Sequence, residues 1–568
     1  MNQIRSTHAV TPIKGPPGVL TNSSTANDFP NDTKENRPKD QANNVAATTR
    51  AKKKSLSFNL SILLLGIIGF LVALDANSLA VALPTIGNEL GGSTLETFWA
   101  GIAFTLAVAI TQPVYSTISD VVGRKIPLYT SLLFFTAGSI IFARAGNMEI
   151  VILGRAVMGF GGGGMDVLQV ILLSDVTTLR ERPLYMGINA VFNATGAVIG
   201  PILGGVFSQY ISWRWLGWFN LPFLGISVML AFFFLRIKHL QLEFRKRLER
   251  IDWVGILLFG TGGTCLALPL SWANSLYPWS SWKTLLPLII GVVFLCILAW
   301  YERKPLEPVF PYRIFTTRTG NGAILSGGIH GLLMYSISQY LPLYYEAVHL
   351  QTPFQAGIST LPYCAVSIGF SAISGVVVNK LRRYKLILWS GWILSTVFTG
   401  MLYRLDHNTI AAESYSYQVL MGVGIGTVLT VTALPTQASA KDPNDTGIAA
   451  GMLVIFRFFG ALIGLTIGST VFSSAFQMSV DTVAVNGQIP DAAKFLQDST
   501  GALSFIPYLR DLDVSREAMD TIIGVYTRAF QVVWLVFMGA SVLGFVFSLL
   551  IKELSMENDE VGRQGLDE

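Results

Sequence analysis

Along most of this chain apolar residues do not alternate with polar ones; they run on for about twenty positions at a time with no charge or a single one. Lys, Arg, Asp and Glu gather in the short intervals between these runs. A run of that length crosses the roughly 30 Å hydrocarbon layer of a bilayer as a helix, which satisfies its own backbone groups where no water is available. The pattern predicts helices over 58–83, 97–117, 126–143, 150–174, 184–208 and 215–235, and a pair over 253–271 and 284–301. Six more follow over 321–345, 354–378, 386–403, 414–434, 446–472 and 527–551. Fourteen transmembrane spans put the chain in the all-α integral membrane class.

Composition agrees. Only 13% of the 568 residues are charged while 51% are apolar, against about 25% charged in a soluble domain, so a soluble globule is excluded. Residues 1–57, rich in Ser, Thr, Asn, Asp, Pro and Lys, are expected to form a disordered cytoplasmic tail, with a second short tail over 553–568. The first apolar run follows Lys52, Lys53 and Lys54 and is expected to insert without a cleavable signal peptide. With the N-terminus inside, nineteen Lys and Arg fall in cytoplasmic loops and four in the short outer loops. That asymmetry predicts both termini in the cytoplasm and 473–526 as a long outer loop, its 491–518 stretch partly helical. The net charge of +5 belongs to these loops and gives no reason to expect nucleic acid. Cys265, Cys296 and Cys364 all sit in apolar runs, so no disulfide, metal site or cofactor is expected. A monomer is expected.

The chain also repeats itself. Arg155-Ala-Val-Met-Gly-Phe-Gly-Gly-Gly163 in the fourth run matches Gln418-Val-Leu-Met-Gly-Val-Gly-Ile-Gly426 in the twelfth at an offset of 263 residues. Gly196-Ala-Val-Ile-Gly200 matches Gly460-Ala-Leu-Ile-Gly464 at an offset of 264, and the loop Ser116-x3-Asp120-x3-Arg124-Lys125 matches Gly375-x3-Asn379-x3-Arg383-x-Lys385. Near-constant offsets predict two six-helix pseudo-repeats, 58–236 and 321–552, flanking an inserted helix pair with its linkers at 237–320. Repeats of this kind build many secondary transporters.

With these segments in view, the chain resembles the major facilitator superfamily, in particular its fourteen-helix fungal drug:proton antiporter branch of multidrug and toxin efflux pumps. The resemblance covers 58–552 and rests on Leu74-Asp75-Ala-Asn-Ser-Leu-Ala-Val-Ala-Leu-Pro-Thr-Ile86, Asp120-Val-Val-Gly-Arg-Lys125 and Arg155 with Gly159. Gly196-x3-Gly-Pro-x2-Gly-Gly205 and Trp213-Arg-Trp-x3-Phe-Asn-Leu-Pro222 complete it. It implies a gate at Asp120, Arg124 and Lys125 that locks one conformation, although Ser116 stands where the family usually has glycine and Asn379 replaces the acid in the second copy. It also implies an antiporter motif at Gly196, Gly200, Pro201, Gly204 and Gly205. Physically, Gly196, Gly200 and Gly204 form one bare stripe that lets a neighbouring helix approach closely, with or without a part in coupling, and Pro201 adds a kink.

Charges inside spans are costly and normally face a cavity or a partner. Asp75, Arg155, Asp166, His330 and Arg457 qualify. Arg155 and Asp166 are eleven residues apart, hence on one helix face and about 16 Å apart along it. They are expected to line one aqueous path with Gly159 and Gly162 or Gly163 between them. A proton-coupled carrier needs an acid that titrates as the cavity changes side; Asp75 is the first candidate, Asp166 the second, with Arg155 tuning or relaying. A structural ion pair, or a hydrogen bond to Asn77 or Ser78, is the competing reading of Asp75. His330 is read more readily as a hydrogen-bonding residue than as a proton carrier, and Arg457 as an anion contact or the partner of a distant acid. Gln112, Gln169, Asn189, Asn193, Tyr335 and Gln339 are candidates for holding an amphipathic ligand, along with His330 and Arg457. Trp213, Trp215, Trp218, Trp272, Trp279 and Trp282 read as an interfacial belt.

The expected function is proton-coupled efflux of a small, largely apolar organic compound, a drug, toxin or secondary metabolite, by alternating access at the plasma membrane. Vacuolar import of basic amino acids and facilitative uptake on the same fold are the competitors. An enzyme is not expected: no nucleophile with its base, metal cluster or phosphate loop occurs.

Overall fold

The computed structural model describes residues 55–177, 182–235, 251–273, 277–304, 308–440, 445–485 and 502–554. Among them are fourteen long helices: α1 (Leu56–Glu89), α2 (Thr94–Val122), α3 (Lys125–Ala143), α4 (Met148–Val176), α5 (Arg182–Val206), α6 (Trp215–Phe234), α7 (Trp253–Trp272) and α8 (Trp282–Tyr301). The others are α9 (Arg318–Val348), α10 (Pro353–Ser359 and Leu361–Leu381, broken at Thr360), α11 (Lys385–Met401), α12 (Ala411–Val431 and Ala433–Ala438), α13 (Thr446–Val485) and α14 (Arg516–Ser548). Thirteen are long and apolar enough to cross a membrane, which makes this a multi-pass membrane protein. The exception is α9, whose stretch of Ser, Gly, His, Gln and Tyr is too polar to face lipid and is instead mostly buried among other helices.

Helix ends are set by the chemistry of the residues beside them. Ser55, Ser93, Thr317, Thr352 and Ser515 each accept a bond from a first-turn amide, and Ser93 with Glu96 and Thr352 with Gln355 close reciprocal capping boxes. Gly123 turns the chain from α2 into α3 at a φ of +100°, a value side chains resist.

Helix pairing repeats at an interval of eight. The packing of α1 on α5 and α6, and of α4 on α2 and α3, recurs as α9 on α13 and α14, and α12 on α10 and α11. Contacts between the two sets repeat too, α2 meeting α13 as α5 meets α10, with α1 against α9 between them. The pair α7 and α8 stands outside this pattern: α7 rests on α13 and α2, and α8 on α7. The face at which α1 begins and α2 ends is called the tail face below.

Three expectations change. The connection expected over 473–526 is shorter, because α13 runs on to Val485 and α14 begins at Arg516. Of the stretch between them, 502–515 is described and contains a 3-10 turn at Ile506–Asp511. Second, α9 extends to Val348 and so takes in Glu346, which the expected span left outside. Third, Trp213 does not belong to a belt: it is buried, its indole donates to Glu89 at 2.7 Å and its ring packs on Phe142. Trp215, Trp279 and Trp282 are exposed, as a belt requires.

Candidate functional site

The stripe in α5 is the first determinant of close packing. A Cβ on Gly196 would collide with the Phe70 carbonyl, on Gly200 with the Leu74 carbonyl, and on Gly204 with the Ser78 carbonyl. These glycines let α5 lie backbone to backbone on the α1 segment that carries Asp75. The rest of the motif points elsewhere. Gly205 leaves room for the Phe354 backbone, and Gly357 faces the Pro201 carbonyl at 2.5 Å from where its Cβ would be, so Pro201 and Gly205 seat the first piece of α10.

Asp75, at the middle of α1, meets Arg155 of α4: Nη1 donates to Oδ2 at 2.5 Å, and both side chains are at most 4% exposed. Arg155 also donates through Nε to the Ala100 carbonyl, and its guanidinium lies 4.3 Å from the Phe104 ring centre. Asn77 bonds the Ala73 carbonyl and Ser78 the Asp75 main chain, so neither hydroxyl nor amide reaches the carboxylate. Asp75 and Arg155 thus form a buried ion pair between α1 and α4.

Arg155 and Asp166 do not share an aqueous path along the glycines between them. Gly159, Gly162 and Gly163 are filled by Phe104, Ala107, Val108 and Thr111 of α2, making that face of α4 a helix contact. Glycine spacing reads the same whether a helix or water lies against it.

Asp166 sits instead in a separate polar cluster. Gln112 of α2 donates to Asp166 Oδ2 at 2.8 Å, and Arg457 of α13 is near enough for its charge to act on the carboxylate. Asp166, Tyr335 and Arg457 are part-exposed although they lie within the bundle. They therefore face interior space. Arg457 donates through Nη2 to the Leu429 carbonyl, its Nε has no partner among the described residues, and Tyr335 packs its ring on Phe458 at 4.9 Å. His330 bonds the Ile425 carbonyl through Nε2 at 2.9 Å, and its Nδ1 has no partner among the described residues.

The predicted amides gather near this space. Gln169 and Asn193 both lie against Gly69 of α1, Asn193 donates to the Asn189 carbonyl at 3.0 Å, and Gln339 lies beside Gly101. A small cavity between α1, α2, α4, α9 and α13 is lined by Arg155, Tyr335 and Gln339 together with Phe104 and Phe458. Buried oxygens of Gln112, Gln169 and Asn189 have no partner among the described residues. Buried polar atoms normally find partners, so such a set suits a ligand or water.

At the tail face Arg124 forms an ion pair with Asp175 of α4 at 2.9 Å and donates to Ser119 Oγ at 2.7 Å. Sequence reasoning missed Asp175. The available signal was an acid at the end of a span, where the charge bias favours bases. Lys125 opens α3, half-buried, and the Asp120 side chain lies outside the described residues. Also missed was Glu346, fully buried with neither carboxylate oxygen hydrogen-bonded among the described residues.

The model of the Major Facilitator Superfamily matches residues 65–465. The MFS-type transporter sphD of Aspergillus fumigatus is 43% identical over 91% of this chain and 90% of its own length. The Efflux pump FUS6 of Gibberella moniliformis is 32% identical over 91% of this chain and 92% of its own. An Acurin A biosynthesis cluster MFS-type transporter of Aspergillus aculeatus is 32% identical over 90% and 93%. Among solved structures, a bacterial homologue of the human lysosomal transporter Spinster, inward-facing and unoccupied, superposes with a TM-score of 0.58 at 14% identity. It covers 89% of this chain and 100% of its own, and speaks for the fold alone.

Proposed function

The chain belongs to the major facilitator superfamily, a family of small-molecule transporters rather than enzymes, and from that premise we propose that it exports an amphipathic organic compound in exchange for protons. Two six-helix halves, α1–α6 and α9–α14, rock about the space between them, with both termini in the cytoplasm of a plasma-membrane protein. Relatives described as efflux pumps and as a biosynthesis-cluster transporter support the outward direction and a secondary metabolite, drug or toxin as cargo.

The observation that carries this reading is the part-exposed Asp166 inside the bundle, held by Gln112 and facing the charge of Arg457 from the other half. An acid open to interior space on one half, sensing a cation on the other, changes its affinity for a proton as the halves move. The order of the two candidate acids is reversed in this proposal. Asp75 is held in direct contact with Arg155, and the pair positions α1 against α4. Gln169, Asn189, Asn193, His330, Tyr335 and Gln339 supply polar and aromatic contacts to the cargo, and proton return through Asp166 accompanies its release. On the tail face, Arg124 with Asp175, Lys125 and Asp120 form a latch that breaks when the halves open there. Pro201 and Gly205 against α10 do the same on the far face.

The test uses proteoliposomes with an imposed pH difference and a panel of fluorescent amphipathic dyes. Asp166→Asn is expected to abolish pH-driven dye accumulation while leaving exchange of dye down its own gradient. Undiminished pH-driven accumulation in that variant removes Asp166 from coupling; accumulation by the native chain without any pH difference removes proton exchange altogether.

A further inference from the structure

A cavity of about 450 Å³ lies away from the Asp166 cluster, where the outlying pair α7 and α8 and the 308–316 segment meet α13. Its volume falls in the range of about 300–1,000 Å³ usual for small-molecule sites. The walls are aromatic and aliphatic: Phe259, Leu298, Phe310 and Phe456 line it, with Phe310 packed on Phe259 at 4.9 Å and on Phe456 at 6.2 Å. Into these walls is set one acid. Glu302, the residue that ends α8, is 5% exposed, and among the described residues its carboxylate meets no cation and only the Phe310 and Val309 main-chain amides, outside ordinary hydrogen-bond geometry.

Among the described residues no cation pairs with Glu302, and Lys304 lies over the Trp300 ring instead. Arg303 is exposed and stacks its guanidinium over Tyr312 at 5.3 Å, so the adjacent cation stays at the rim. Asp252 adds a second negative group: it caps α7 through Oδ1 at 2.8 Å from the Gly255 amide. The Tyr301 phenol lies against Asp252 and brings no positive charge. A lone carboxylate in such surroundings is costly unless a cation or a proton neutralises it. Ring faces attract cations as well.

We propose that this chamber is a second binding site, separate from the central pathway, for a single-chain lipophilic amine whose ammonium meets the Glu302 carboxylate while its apolar body fills the space between the phenylalanines. The commitment to a cation rests on charge complementarity: among the described lining residues the buried charge is the Glu302 acid, while the one base, Arg303, is exposed and turned onto Tyr312. Burial pushes the Glu302 carboxyl up to about 8; the Phe310 and Val309 amides pull it down and the Asp252 charge adds to the rise. The empty chamber therefore holds this proton at neutral pH. An arriving ammonium displaces it to water and forms the ion pair in its place, so binding tightens as pH rises toward 9, where an alkyl amine is still charged.

The full chain in lipid nanodiscs is labelled with a diazirine-bearing dodecylamine and, in parallel, with the corresponding dodecanol. The amine is expected to label peptides carrying Leu298 and Phe456, with a half-saturating concentration at least fivefold lower at pH 9 than at pH 6.5. Glu302→Gln raises that concentration about tenfold and removes its pH dependence, while Asp166→Asn leaves both unchanged. Equal, pH-independent labelling by dodecanol would identify the chamber as a slot for membrane acyl chains and overturn the proposal, as would full amine labelling of Glu302→Gln. Should that variant not fold, the native chain's pH series against dodecanol decides alone.

Discussion

At matched places in the repeat, α4 and α12 carry opposite solutions to one packing problem. Arg155 of α4 meets Asp75 of α1 as a buried ion pair. Gln418 of α12, its counterpart, donates to the Tyr345 hydroxyl at 2.6 Å and the Ser359 carbonyl at 2.9 Å, a neutral network. The glycine stripes show no such difference: Gly460 and Gly464 open α13 to the Gly328 and Leu332 backbone of α9 as Gly196 and Gly200 open α5 to α1. Close packing is thus required at both places, and a buried ion pair is present at only one of them. Since a neutral network holds the same place, and buried ion pairs are seldom better stabilisers than neutral groups, the charges of the first six helices are there for more than cohesion.

The largest expected effect comes from copying one side onto the other. Arg155→Gln should strand the Asp75 charge and destabilise the fold by about 3–5 kcal/mol, read as the unfolding midpoint in detergent. Adding Asp75→Asn should recover most of that loss. A double variant as weak as the single one would break the comparison, since charge would then be needed for cohesion.

Next come the stripes, which should respond alike. Gly200→Val and Gly464→Val each force a side chain into a facing backbone, at about 1–3 kcal/mol, whereas Gly225→Ala meets open space and should be silent. A strong effect on one stripe only would show that the repeat in packing is nominal. On the neutral side, Gln418→Ala leaves Tyr345 and the Ser359 carbonyl short of a donor, a loss of about 1–3 kcal/mol and below that of Arg155→Gln. The smallest effect is in pH. Glu302 keeps its proton in the folded chain up to about 8, against an ordinary 4.5. Its contribution to stability is therefore complete below 4.5 and fades as pH rises through 8. Glu302→Gln should flatten that decline of the unfolding midpoint between pH 4.5 and about 8, and an unchanged decline would assign it to other groups.

Much of the site was legible in advance, residue by residue. A charge inside a twenty-residue apolar run is conspicuous, so Asp75, Arg155, Asp166, His330 and Arg457 could be named before any packing was known. Their pairing could not. Asp75 and Arg155 are 80 residues apart, and Gln112 and Asp166 are 54 apart. Glu346 escaped because α9 outlasts its apolar run by a turn, and Asp175 because an acid at a helix end looks like loop chemistry. Glu302 lay just beyond α8 for the same reason, and only the walls contributed by α7, α13 and the 308–316 segment enclose it.

By itself, then, the sequence determined the membrane-spanning class, the helix count and the repeat, because crossing lipid demands long apolar helices and duplicated segments keep their offsets. Tertiary structure alone decided which stripe of glycine meets backbone and which acid is matched by a base. It also decided which acids stand open to interior space or without a partner. Those outcomes depend on which faces meet across tens or hundreds of residues, and spacing along one helix is the same whatever lies opposite.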